Sequence, residues 1–173
     1  FRPDVTFVCV PTPQSESGEC NTELLAQVMQ DLNRIKGHLV VVKSTVPAYK
    51  LKEITEQCID LKIVLNPEFL TEKNYIEDFR NPPMLLLGGD RINTDRVEQI
   101  YKDHSMCKPC PVFHTDIATA SMVKYCINSF LATKVTFMNE MHDVLKGAGG
   151  ADWREFIAIL AADTRTVSYT HLR

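Results

Sequence analysis

The sequence predicts an α/β domain built on a mostly parallel sheet, running on into an all-α segment. Three observations predict it. Short β-prone runs alternate with amphipathic helical runs as far as Thr115, the spacing of strand–helix–strand crossovers. The run "HLVVVK" (residues 38–43) is apolar without alternation, as in strands covered on both faces. Between Asp116 and Lys146 there is neither Pro nor Gly, and apolar residues recur at helical spacing.

Taken in order, "DVTFVCV" (residues 4–10) is a strand rich in β-branched residues. "NTELLAQVMQDLNRIKG" follows as a helix capped by Asn21 or Thr22, with Leu24, Leu25, Val28, Leu32 and Ile35 on one face and Gly37 closing it. "HLVVVK" is the next strand, residues 49–58 a helix, "LKIVLN" and "MLLLGG" strands, residues 93–104 a helix, and "CPVFHT" a last short strand. One long helix of about 30 residues then runs to "GAGG", and Asp152 caps a further helix, "WREFIAILAAD". The expected boundaries are an α/β part over residues 1–114 and a connecting helix with the start of a helical domain over 115–165. Residues 166–173, "TVSYTHLR", have no helix pattern and read as a non-native tail.

Composition narrows the function classes. The 173 residues suffice for one core, or one core and part of a second. A net charge of −3 with no Lys/Arg-rich block gives no reason to expect nucleic acid as a partner. No apolar run approaches the roughly 20 residues that cross a bilayer, so no membrane partner is expected. The first residues lack signal-peptide features and read as a strand already under way, so the chain is expected to begin inside a domain. Of the six cysteines, Cys9, Cys58 and Cys126 lie in apolar patterns. The C-x-x-C at Cys107 and Cys110 has no second pair or His cluster beside it, so a turn before a strand is preferred to a metal or redox role. A reduced, cytoplasmic protein is the expectation.

In an open parallel sheet, ligands bind beyond the carboxyl ends of the strands. Three loops leaving such ends carry unusual residues: "VPTP" at Val10, stiffened by two prolines; "KSTVP" at Lys43, with two hydroxyls; and "NPEFLTE" at Asn66. If the chain turns helical after Pro67, Glu68 and Glu72 project to one side. Each loop alone also fits an ordinary turn or helix start, while three on one sheet edge point to a site. On the long helix Lys124 and Asn128 are four apart. They form either a lysine whose stem lies along the core with its ammonium in water, or a cation and an amide aimed at a reacting oxygen.

These motifs in this order, "VPTP", "KSTVP", "NPEFLTE…EDF" and "MVKYCINSFLATKVTFMNE", resemble the UDP-glucose/GDP-mannose dehydrogenase family over about residues 4–165. The UDP-glucose enzymes are the nearest likeness. The resemblance implies the C-terminal part of a Rossmann-like domain followed by the start of a central helical domain. It also implies NAD-dependent oxidation, in two hydride-transfer steps, of a nucleotide sugar's C6 alcohol, UDP-glucose giving UDP-glucuronate. Val10, Pro11, Thr12, Pro13 and Gln14, with Ser44, Thr45 and Val46, would line the NAD site, and Glu72 would touch the cofactor. Glu68 would handle protons and water, with Thr45 helping to hold the water. Lys124 would stabilise the oxyanion, assisted by Asn128. Phe69, Leu70 and Thr71 would join Glu68, Glu72, Lys124 and Asn128 against the substrate, with Arg165 reaching it across a homodimer formed through the long helix. No metal is implied.

The residue types suit that chemistry. Hydride loss from an alcohol needs a base, and burial raises a carboxylate's pKa toward a useful value; developing negative charge is best met by a fixed cation in a dry pocket. The family's nucleotide-binding glycine loop would precede Phe1. Its nucleophilic cysteine lies in a glycine-rich context that none of the six cysteines has, so this chain alone is expected to be inactive. Ser121 stands where the family often has Glu, Asn21 where it often has Asp, and Pro83 and Met84 where Asp and Arg are usual. Two alternatives remain: a relative of the 6-phosphogluconate or 3-hydroxyacid dehydrogenases, and a non-catalytic dinucleotide-binding or dimerisation module.

Overall fold

A computed structural model of the chain describes residues 3–149, 152–163 and 166. It has two compact units, residues 1–125 and 126–173. In the first, five strands form one sheet in the order β1 (Val5–Val8), β2 (Leu39–Val42), β3 (Lys62–Leu65), β4 (Leu85–Gly88), β5 (Val112–Thr115). Between them lie α1 (Glu23–Leu32), α2 (Ala48–Gln57), α3 (Tyr75–Arg80) and α4 (Arg91–His104), and α5 (Ile117–Gly147) follows the sheet.

β1, β2 and β3 pair parallel, Val5 beside Leu39 and Leu39 beside Lys62, and β4 and β5 pair parallel, Leu85 beside Val112. The two groups meet antiparallel at Leu65 and Gly88. The mostly parallel sheet expected from the alternation is therefore present, with one reversal. It arises because the link from β3 to β4 carries only the six-residue α3 and does not cross back over the sheet as a βαβ connection would.

β2 explains its own composition. All four residues are buried, Val40 and Val42 against α1 and α2, Leu39 and Val41 against α4. Each buried valine contributes about 1.5–3 kcal/mol relative to exposure. Leu25, Met29, Leu51 and Ile54 fill the first face and Val97 and Tyr101 the second. The start of α5 lies close against the end of β4: a Cβ at Gly88 would stand 2.6 Å from Ala120 Cβ and 2.9 Å from the Asp116 carbonyl oxygen.

Two expected features differ. α1 ends at Leu32, not at Gly37; Gly37 has φ +67° in the ensuing turn, and its N–H donates to Asp60 O at 2.7 Å. The chain is not helical after Pro67: residues 66–71 are irregular, and α3 begins only at Tyr75.

In the second unit, α5 continues to Gly147, and α6 (Trp153–Ala162) is capped by Asp152, whose carboxylate accepts from the N–H groups of Arg154 and Glu155. Trp153 stacks on Phe156 with ring centroids 5.5 Å apart and meets His142 edge-on at 4.9 Å. Among the described residues no helix is long and apolar enough to cross a membrane.

Candidate active site

The three loops at the carboxyl ends of β1, β2 and β3 are tied together by their own polar atoms. Ser44 Oγ donates to Val10 O at 2.6 Å, and Thr12 Oγ1 donates to Thr45 O at 2.8 Å. Val46 and Ser44 are buried, Val10, Thr12 and Thr45 half-buried, and Pro11, Pro13 and Gln14 exposed. Gln14 Nε2 donates to Gly18 O at 3.2 Å, and Asn21 N–H donates to Pro13 O at 2.8 Å, folding the first loop back on itself. Thr12, Gln14 and Thr45, together with Cys20, Tyr49 and Tyr125, line a cleft of about 390 Å³. Burial pushes the Tyr125 phenol up to about 12, so it stays protonated.

The third loop is fixed by Asn66, which is 1% exposed. Its N–H donates to Val42 O at 2.8 Å and its Nδ2 to Leu86 O at 2.9 Å. Its Oδ1 accepts from Lys43 Nζ at 2.9 Å and from Tyr101 OH at 2.7 Å. Every polar group of this side chain is used, so the turn into Pro67 and Glu68 has a defined direction.

Lys124 reaches the same loop from α5. Its ammonium donates to the backbone O of Glu68 at 2.5 Å and lies 5.2 Å from the centre of the Phe69 ring. At 8% exposure it does not snorkel to solvent. Three residues earlier, Ser121 Oγ donates to Val46 O at 2.6 Å. One turn of helix thus holds both the β2 and β3 loops.

Beside these residues a cavity of about 460 Å³ is lined by Lys43, Asn66 and Glu68 among largely apolar side chains such as Phe69, Phe79 and Tyr101. Pro83 and Met84, the departures noted above, also line it. Burial lowers the pKa of Lys43, and the charge of Glu68 opposes that shift. Lys124 has the same pair of influences in the same order. Two ammonium groups therefore sit within electrostatic reach of one half-buried carboxylate. Burial also raises the Tyr101 hydroxyl.

Not every expected residue gathers here. Glu72 and Thr71 are exposed, as is Leu70 at 40%. Without a helix after Pro67, Glu68 and Glu72 are not held on one helical face; instead Thr71 N–H and Oγ1 both donate to Asp78 Oδ2, at 2.7 and 2.5 Å. Asn128 falls in the second unit and is exposed. Arg165 lies outside the described residues, as do residues 167–173 of the expected tail. Lys43, Asn66 and Tyr101 were not singled out as site residues. A lysine directly after four buried strand residues is the signal that would have found the first.

The sequence profile described as "UDP-glucose/GDP-mannose dehydrogenase family, NAD binding domain" matches residues 1–105, and that for the same family's central domain matches residues 118–173. The chain belongs to the UDP-glucose/GDP-mannose dehydrogenase family. The family assignment, the α/β architecture and the NAD cofactor expected from the motifs are thereby borne out. A GDP-mannose 6-dehydrogenase from Pseudomonas savastanoi pv. phaseolicola is 32% identical over 92% of the chain and 39% of its own length. A UDP-glucose 6-dehydrogenase from Rickettsia bellii is 33% identical over 94% of the chain and 38% of its own length. The crystal structure of a ternary complex of GDP-mannose dehydrogenase from Pseudomonas aeruginosa superposes with a TM-score of 0.84 at 30% identity, covering 98% of this chain and 42% of that one. The chain spans about two fifths of the length of these family members.

Proposed function

We propose that the full-length protein containing this chain oxidises the C6 alcohol of UDP-glucose to UDP-glucuronate with NAD. The observation that carries the reading is the meeting of Lys124 with the Glu68 loop, at the edge of a largely apolar cavity. Glu68 takes up the alcohol proton. Lys124, fixed by Glu68 O and the Phe69 ring, presents a partly dehydrated positive charge to oxygen as it becomes anionic. Lys43 holds the loop through Asn66. Thr45 lies in the cleft wall, in place to hold a water.

The loops around Val10 and Ser44 suit NAD, since they form a cleft offering hydroxyl and amide groups at the carboxyl edge of the parallel strands. Val10, Pro11, Thr12, Pro13, Gln14, Ser44, Thr45 and Val46 would hold it there, with Glu72 on its margin. When bound, NAD supplies the hydride acceptor. Phe69, Leu70, Thr71, Asn128 and Arg165 are proposed on the substrate side, Arg165 from a second subunit of a homodimer built on the long helix. The six free cysteines support a reducing, cytoplasmic setting.

GDP-mannose is the second reading, supported by the family members of that name at 32% identity. Steady-state NAD reduction by the full-length enzyme with each nucleotide sugar decides between them: kcat/KM is expected to favour UDP-glucose, and a preference for GDP-mannose overturns the choice. Lys124→Ala should lower kcat about 100- to 1,000-fold, the usual cost of losing one oxyanion partner. An unchanged kcat removes the role given to Lys124. The 173-residue chain by itself is expected to give no turnover.

A further inference from the structure

Between α4 and β5 the chain is irregular from Ser105 to Pro111, and Cys107 and Cys110 there are both half-buried and both border the 460 Å³ cavity. Two bonds fasten this segment to the end of α3: Cys107 Sγ donates to Phe79 O at 3.0 Å, and Lys108 N–H donates to Arg80 O at 2.7 Å. Ser105 Oγ accepts from Cys107 N–H at 3.1 Å and so orients the first cysteine.

Burial raises the Cys110 thiol's pKa, and the charge of Cys107 adds to the effect, so the two sulfurs are within electrostatic reach of each other. Lys43 shares the cavity and responds to the charge of Cys107. Among the described residues the one group of three His, Cys, Asp or Glu side chains able to hold a metal is Asp95, Glu98 and His114. Among the described residues no third ligand joins the two thiols. Two intervening residues outside regular structure leave the backbone free to bring the Cα atoms to disulfide distance.

We propose that Cys107 and Cys110 are a reactive dithiol that closes reversibly to a disulfide and thereby removes one of the two bonds that fasten α3 to the segment before β5. The oxidant is a low-molecular-weight disulfide. The Cys107 thiolate, on the Lys43 side, attacks one of its sulfurs, a new S–S bond forms, and one small thiolate leaves. The Cys110 thiolate then attacks Cys107 Sγ and expels the small thiolate bound there. The protein loses two electrons and two protons, and the small disulfide gains them as two thiols. Once closed, Cys107 has no proton to donate to Phe79 O. Because Asp78 of α3 also holds Thr71, the change reaches the loop that carries Glu68. Its bearing on catalysis rests on the function proposed above, whereas the thiol chemistry does not.

The test uses the full-length protein containing this chain in glutathione redox buffers, quenched by alkylation and mapped with trypsin. The peptide of residues 103–124 holds Cys107 and Cys110 and no other cysteine. It should lose both alkylation sites as one internal disulfide, at potentials where Cys9, Cys20, Cys58 and Cys126 stay reduced. Amide exchange over α3 should quicken about 3- to 10-fold on oxidation, the worth of one hydrogen bond, and should not respond to oxidant in Cys107→Ser, whose hydroxyl is not oxidised and keeps a donor for Phe79 O. Free thiols at both positions, persistent mixed disulfides with glutathione, or pairing with another cysteine overturns the dithiol. Equal exchange over α3 in the two forms overturns the loosening of α3.

Discussion

Asn66→Ala tests whether the Glu68 loop is held as the structure indicates. The substitution removes a donor to Leu86 O and an acceptor shared by Lys43 Nζ and Tyr101 OH, at a position 1% exposed. Lys43 keeps a weaker bond to Tyr101 OH at 3.4 Å, so two neutral groups are left short: the Leu86 carbonyl loses its side-chain donor and the Tyr101 hydroxyl loses its acceptor. At about 1–3 kcal/mol for each buried group left unpaired, and allowing for incomplete additivity between neighbours, the expected loss is about 3–5 kcal/mol. That is a large share of the roughly 5–15 kcal/mol typical of a folded domain. Urea unfolding followed by far-UV circular dichroism reads it as a lower midpoint at constant slope. Tyr101→Phe should cost only about 1 kcal/mol, since Asn66 Oδ1 still accepts from Lys43. In the double variant the two losses should sum to less than their total, because the hydroxyl has already lost its acceptor. A loss below 1 kcal/mol for Asn66→Ala, or strict additivity in the double variant, refutes the network.

Gly88→Ala should destabilise by about 2–3 kcal/mol, because the new methyl meets Ala120 Cβ and the Asp116 carbonyl at under 3 Å; the same denaturation assay checks it, and Gly37→Ala, open in space but at φ +67°, should lose only about 1 kcal/mol. Lys43 is more easily deprotonated folded than unfolded, so just below its ordinary value near 10.5 the unfolded chain binds more protons and stability rises with pH. Lys43→Met should flatten that rise just below pH 10.5 and stay within about 1 kcal/mol of the parent at pH 7, since it removes a buried charge along with its two hydrogen bonds; an unchanged slope counts against the burial of this ammonium. Asp152→Ala should cost α6 its cap and about 1 kcal/mol, read as faster amide exchange confined to the start of that helix.

The parts readable from the sequence are those where local pattern and tertiary role agree. Residues 39–42 could only be a strand covered on both sides, and the 31-residue α5 was announced by its lack of Pro and Gly. Where a distant contact decides, the pattern misled. Ile35 continues the helical spacing of α1, yet the bond from Gly37 N–H to Asp60 O draws the chain away four residues early. α3 went unseen because it is six residues long and buries none of them. The reversal at β4 depends on a connection of irregular backbone that carries no periodicity. Within the site, motif order gave Glu68 and Lys124, which the fold brings together; the supporting roles of Asn66 and Tyr101 come from side chains 35 positions apart, a juxtaposition no local reading supplies.

Ser121 and Lys124 lie three residues apart on a single helical turn, the one clasping the loop after β2 and the other the loop after β3. Neither strand end can shift without dragging the other. Anything that nudges this turn along its axis, whether a ligand pressing on one loop or strain arriving through the helix, displaces both in step. Two loops built on separate strands consequently share one mechanical lever.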